Sequence, residues 1–151
     1  MIVAEFVLAS MLALAPRRDH TELADAISHS IETEGCVYGW KDCEQRTAAL
    51  MVAVAFREST FNVDALGDCD AKKVCRSVCA FQIWGGSRTL LTDAKACALA
   101  GHRRLKDWLA TCRGSLAGFA SGKCTTTIGK RIDADRKALA AWLLNTRKES
   151  K

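Results

Sequence analysis

The sequence predicts a mainly α fold: a helical bundle around one buried central helix, with a small β-hairpin region and disulfide bracing. Three observations carry that prediction. Alanine and leucine are abundant and proline occurs once, a balance that favours helix. Residues 48–56, AALMVAVAF, are apolar on every face, so a helix there must be wrapped by other elements. Eight cysteines in 151 residues form an even set of the kind that staples an extracytoplasmic domain. With 49% hydrophobic residues, the chain can build one real core and is not a disordered polymer.

Taken in order, residues 1–15 are apolar apart from Glu5 and Ser10. That is shorter than the ~20 residues of an ordinary membrane span. Residues 1–16 therefore read either as a signal-like segment or as a hydrophobic first helix. Ala13-Leu14-Ala15 has the small-x-small form of a cleavage site. Against this stand the missing Lys or Arg at the front, Glu5, and Pro16 directly after the cut. A buried helix ended by Pro16 fits the same residues.

Residues 17–34 form an amphipathic helix with Leu23, Ala26, Ile27, Ser30 and Ile31 on its buried face. Asp19 or Thr21 caps its start, and Gly35 ends it. His20 and His29 fall on or near the polar side. A loop from Cys36 to Cys43 then carries Tyr38 and Trp40, which serve the core or stack on a sugar. The central helix follows, and at its end stands Glu58. Desolvation and the negative helix terminus both disfavour a carboxylate anion there, which suits a general acid. The plainer reading of Glu58 is a solvated residue of the last turn. Arg57 is adjacent but points about 100° away on a helix, so it need not neutralise Glu58.

Residues 67–78 form a cysteine-rich insert with Asp68 and Asp70. They lack the regular oxygen spacing of a calcium loop, and no metal is assigned. Residues 80–84 read as a short strand and Gly85-Gly86 as a turn. Thr92 caps a helix reaching about Leu109, with Ala94, Cys97, Ala98, Gly101, Leu105, Trp108 and Leu109 buried and Arg103, Arg104 and Lys106 outside. Residues 114–122 are a small-residue segment, and 125–129 a polar loop. A last helix over about 131–146 buries Ile132, Leu139, Trp142 and Leu143, and residues 147–151 fray.

Eight cysteines admit on the order of a hundred pairings. A local reading pairs Cys36 with Cys43 and Cys112 with Cys124, leaving Cys69, Cys75, Cys79 and Cys97 among themselves. Zinc is the alternative, but no Cys-x-x-Cys pair and no nearby histidine supports it. The formal net charge of +5 comes from interspersed acids and bases without an aromatic-basic ribbon, which argues against nucleic acid. A mild positive charge suits an anionic cell wall.

Glu58-Ser59-Thr60-Phe61-Asn62 with Ala65, followed by Ala80-Phe81-Gln82-Ile83, resembles the lytic transglycosylase and goose-type lysozyme superfamily. That family carries Glu-Ser-x-Phe-Asn-x-x-Ala at the end of a buried helix and Gly-Leu-Met-Gln-Ile in a short hairpin region. In the second motif Gln82 and Ile83 match, while Cys79, Ala80 and Phe81 replace Gly-Leu-Met. A third family motif, Ala-Tyr-Asn-Ala-Gly, has its nearest counterpart in residues 118–122, where Phe119 lacks a hydroxyl and Ala120 an amide.

The resemblance implies a single lysozyme-like domain over 17–151, secreted, periplasmic or otherwise extracytoplasmic, monomeric and without a cofactor. It acts on peptidoglycan glycan strands and has no stable membrane span. Glu58 is then the catalytic acid and base, with Ser59, Asn62, Gln82 and Phe119 binding substrate. Ser59 orients the glutamate or the sugar, Gln82 lines the cleft, and Phe119 packs beneath Glu58. Three rivals remain: a lysozyme-type hydrolase on the same scaffold, a non-catalytic glycan-binding or structural protein, and a disulfide-rich interaction protein without a glycan ligand.

Overall fold

The computed structural model describes residues 2–39 and 41–148. Six helices and one small sheet follow in the order α1 (Val3–Leu14), α2 (Thr21–Glu34), α3 (Cys43–Ser59), β1 (Leu66–Cys69), β2 (Cys75–Val78), β3 (Ile83–Trp84), α4 (Ala94–Thr111), α5 (Ala117–Ser121) and α6 (Thr127–Lys148). The fold is mainly α with a small β region and four disulfides, as the sequence predicts.

Helix α3 is the axis of the molecule. Every residue from Thr47 to Ala55 is buried. It is flanked by α6, α1 and α2, while α4 packs across α2. Each fully buried Leu50, Met51, Val52 or Val54 contributes about 1.5–3 kcal/mol by leaving water. The helix ends in two successive left-handed residues, Thr60 (φ 54°) and Phe61 (φ 64°). L-residues adopt this conformation only when their surroundings enforce it. Here the reversal is held by Arg18, which donates to the Thr60 carbonyl at 3.0 Å, and by the buried Phe61 ring against His20 and Phe56.

Helix α1 is part of the core: Phe6, Val7, Ser10 and Met11 are buried. Arg147 of α6 donates to the Ala9 carbonyl at 2.5 Å. Helix α2 starts at Thr21, later than expected, because Asp19 accepts from both the Thr21 amide and its hydroxyl. Gly35 closes it at φ 74°. His20 is not on a polar side. It is buried, with Nε2 2.7 Å from the Ala15 carbonyl. His29 is exposed as expected. Tyr38 packs against the core, and burial raises its phenol pKa. Trp40 and residues 149–151 lie outside the described residues.

The insert corrects the expected strand positions. Strands β1 and β2 form an antiparallel hairpin inside it, with Leu66 opposite Val78, and β3 adds along β2 with Ser77 opposite Trp84. Asp70 Oδ1 accepts the amides of Lys72 and Val74 and so builds the hairpin turn. Residues 80–82 are a tight turn between β2 and β3 instead of a strand.

The disulfides join Cys36–Cys43, Cys69–Cys75, Cys79–Cys97 and Cys112–Cys124. Cys79–Cys97 ties the sheet to α4, while Cys69–Cys75 closes the hairpin. Among the described residues, no helix is long and apolar enough to cross a membrane.

Helix α4 is capped by Asp93 instead of Thr92, its Oδ1 accepting from the Ala96 amide at 2.9 Å. The near edge of the Phe81 ring sits where a Gly101 side chain would be. Helix α6 starts at Thr127, absorbing residues 127–129 of the expected loop. Trp142 is 47% exposed instead of buried, whereas Leu143 is fully buried. Neither Arg104 nor Lys106 lies free on an outer face. Arg104 reaches the Trp84 carbonyl, and Lys106 donates to the Glu34 carbonyl.

Candidate active site

The end of α3, the hairpin, α4, α5 and α6 enclose a cleft of about 540 Å³. Glu58 opens into it from α3, Asp68 and Ser77 from the hairpin, Gln82 and Trp84 from the following turn and strand, Arg104 and Trp108 from α4, Phe119 from α5, and Ile132 and Arg136 from α6. Glu58, Gln82 and Phe119, singled out from sequence, are thus brought together. Ser59 and Asn62 are not among the lining residues.

Ser59 is a structural link. Its hydroxyl lies 2.9 Å from the Ala80 carbonyl and 3.2 Å from the Ala55 carbonyl, and it accepts the Asn62 amide at 3.1 Å. The first motif is thereby tied to the second. Asn62 is exposed, and its carbonyl accepts from the Ala65 amide in the turn after α3.

Gln82 adopts φ 48° and donates from Nε2 to the carbonyls of Cys79 (3.0 Å) and Ala65 (3.3 Å). Its Oε1 fills the space a side chain on Gly67 would need. The glutamine therefore holds β1 against the 80–82 turn while forming part of the cleft wall. Trp108 packs against Gly118, where any Cβ would meet its ring.

Glu58 is mostly buried, its side chain 19% exposed, and faces the Arg136 guanidinium at 2.9 Å. Arg136, 12% exposed, also reaches Asp135 at 3.2 Å, and Asp135 pairs with Arg57 at 3.0 Å. Arg57 thus points away from Glu58, as its helical position requires. The cation that does face Glu58 comes from α6, 78 residues later. Ile132, Arg136, Leu139 and Leu143 follow one another at the four-three-four spacing of a buried stripe. A charge inside such a stripe needs a partner, and that was the available signal for Arg136.

Asp68 is a second carboxylate in the same cleft. It sits at φ 51° and accepts a hydrogen bond from the Ser77 hydroxyl. No pattern in the sequence distinguished it from Asp64 and Asp70. Those two do not line the cleft, and Asp70 is spent on its turn.

The arrangement provides a carboxyl group able to give and take a proton, a second carboxylate, and aromatic and guanidinium walls. A set of this kind has the groups that general acid–base chemistry uses. Among known proteins, the chain matches no family model, no curated sequence and no solved structure.

Proposed function

We propose that this chain is a peptidoglycan lytic transglycosylase, with Glu58 as acid and then base. The observation that carries the reading is the seat of Glu58. A carboxyl group in the last turn of the buried helix opens into a cleft that Gln82 and Phe119 also line. These are residues of the three stretches in which the sequence resembles that superfamily.

In the proposed reaction, Glu58 protonates the glycosidic oxygen between N-acetylmuramic acid and N-acetylglucosamine, and the bond to the muramic C1 breaks. The 2-acetamido group of the muramic sugar stabilises the developing cation. The 6-hydroxyl of the same sugar then attacks C1 and returns its proton to Glu58, closing a 1,6-anhydro ring. Proton donation requires the acid form of Glu58, so the Arg136 ion pair loosens as the sugar enters. Ser59 supports the glutamate through the backbone reversal instead of touching substrate.

A hydrolytic second reading is favoured by one observation: Asp68 lines the same cleft. Glycosidases that use water pair an acid with a second carboxylate, and Asp68, fixed by Ser77, could orient that water.

Glu58→Gln is expected to abolish release of soluble muropeptides from peptidoglycan while retaining a cooperative thermal transition, lowered by no more than the loss of the Arg136 ion pair accounts for. An unchanged rate refutes the assignment. Mass spectrometry of the wild-type products separates the two chemistries. Anhydro products, one water lighter than hydrolytic ones, support the transglycosylase, and Asp68→Asn then retains substantial activity. Reducing-end products, with a rate lost by about two to four orders of magnitude in Asp68→Asn, support the hydrolase.

A further inference from the structure

Trp84 is 51% exposed, although it sits in the sheet. It lines the same cleft as Glu58. The Arg76 guanidinium stands over its ring, 5.6 Å from the centroid, and Arg104 donates to its main-chain carbonyl at 3.3 Å. Arg76 of β2 therefore lies against the indole itself, and Arg104 of α4 is held at the main chain of the same residue. Among the described residues, neither arginine forms an ion pair, whereas Glu58 is paired with Arg136 and Asp68 accepts from Ser77. The negative groups of the cleft are partnered, and the positive charges beside Trp84 are held only by a ring and a neutral carbonyl.

An aromatic plate bordered by unneutralised guanidinium groups suits a ligand with a flat apolar face and an anionic substituent. We propose that Trp84, Arg76 and Arg104 form a subsite for an acidic sugar: the ring lies on the indole and its carboxylate meets the arginines. The inference rests on the glycan reading and narrows it. Strands bearing a carboxylate on alternate sugars bind in preference to neutral strands of the same backbone. The carboxylate belongs either to a free lactyl ether or to a peptide attached through it.

The test uses the full, oxidised chain carrying Glu58→Gln, so that ligand is not consumed. Calorimetric titrations compare neutral N-acetylglucosamine oligomers, glycan strands stripped of peptides, and peptide-bearing strands of equal length. Stripped strands are expected to bind about tenfold tighter than neutral oligomers, with the advantage shrinking as salt rises. If only the peptide-bearing strands gain, the carboxylate recognised is the peptide's.

Adding Trp84→Ala is expected to weaken all three ligands by about tenfold, and Trp84→Phe to recover part of the loss. The exposed Arg76→Ala, and Arg104→Lys, which keeps the charge but moves it, are expected to reduce the acidic preference while sparing neutral binding. Equal affinity for neutral and acidic strands, or affinities untouched by Trp84→Ala, overturns the subsite. Wild-type cleavage of peptidoglycan, measured in parallel, stands or falls separately. Cleavage with unchanged Trp84→Ala binding removes the subsite alone. Absence of both cleavage and binding in folded protein removes the glycan reading as well.

Discussion

Glu58 and Arg136 form an ion pair at 2.9 Å that the proposed function asks to serve both stability and chemistry. Each is mostly buried, so removing one partner leaves the other charge in a poorly solvated place. Arg136→Gln is expected to destabilise the protein by about 1–3 kcal/mol, less than a fully buried pair because both groups retain some solvent. Glu58→Gln should cost a similar amount or less. In the double variant the neutral amides face each other, and the stability loss is expected to be smaller than the sum of the single losses. Chemical denaturation of all four proteins measures that coupling. Strict additivity would mean that the pair contributes nothing to folding. Under the proposed function the double variant is expected to remain without cleavage, because Arg136→Gln does not restore the Glu58 carboxyl group to which the proton transfer is assigned.

At the scale of elements, the site is made by the way the hairpin is locked to the end of α3. Gln82 is the clasp, reaching the carbonyls of Ala65 and Cys79, and Gly67 leaves the room it needs. Gly67→Ala is expected to displace the Gln82 side chain and break at least one of these bonds. The cost should be about 1–3 kcal/mol, with a loss of activity in protein that is still folded. A melting curve and a cleavage assay on the same sample check this, and an unperturbed variant would show that the clasp has slack.

The central helix was legible because nine successive apolar residues leave no solvent face for it. The C-cap at Gly35 was legible because its chemistry is local, whereas the N-cap of α2 is His20, and Asp19, a capping candidate from sequence, instead accepts from Thr21 just ahead of the helix. The strand positions of the hairpin were not legible. Leu66 and Val74 are exposed, so the alternation that marks a half-buried strand is blurred. Its pairing also depends on Cys69–Cys75 and the Asp70 turn. Arg136 and Asp68 enter the site through tertiary packing, which no local pattern states. Arg136 alone left a trace, as a charge in an apolar stripe.

For the molecule as a whole, the sides of the bundle meet through buried polar groups as well as apolar contacts. His102 of α4 is fully buried. Its Nδ1 lies 3.2 Å from the Ser30 hydroxyl of α2, and that hydroxyl lies 2.7 Å from the Ile27 carbonyl and 3.6 Å from the Met51 sulfur of α3. The Ser30 hydroxyl is therefore the point at which α2, α3 and His102 of α4 meet. A Ser30 hydroxyl that donates to Ile27 can accept from a protonated Nδ1, the neutral tautomer this geometry suits. Burial lowers the pKa of His102 below its usual 6.5, and Lys106 adds to the effect, against an opposing pull from Glu34. The unfolded chain thus takes up a proton more readily than the folded one. The stabilisation is complete above the unfolded value and is lost as pH falls from about 6.5 toward the lowered folded value. It changes no further once the folded histidine is also protonated. The slope in that window is expected to approach, at most, about 1.4 kcal/mol per pH unit. Denaturation midpoints at about pH 7.5, 6.5 and 5.5 measure it before most carboxylates titrate. In His102→Gln the slope should flatten, although the protein is less stable at every pH. If the wild-type slope persists in that variant, the acid sensitivity of the fold lies elsewhere and the three-helix junction is only a packing contact.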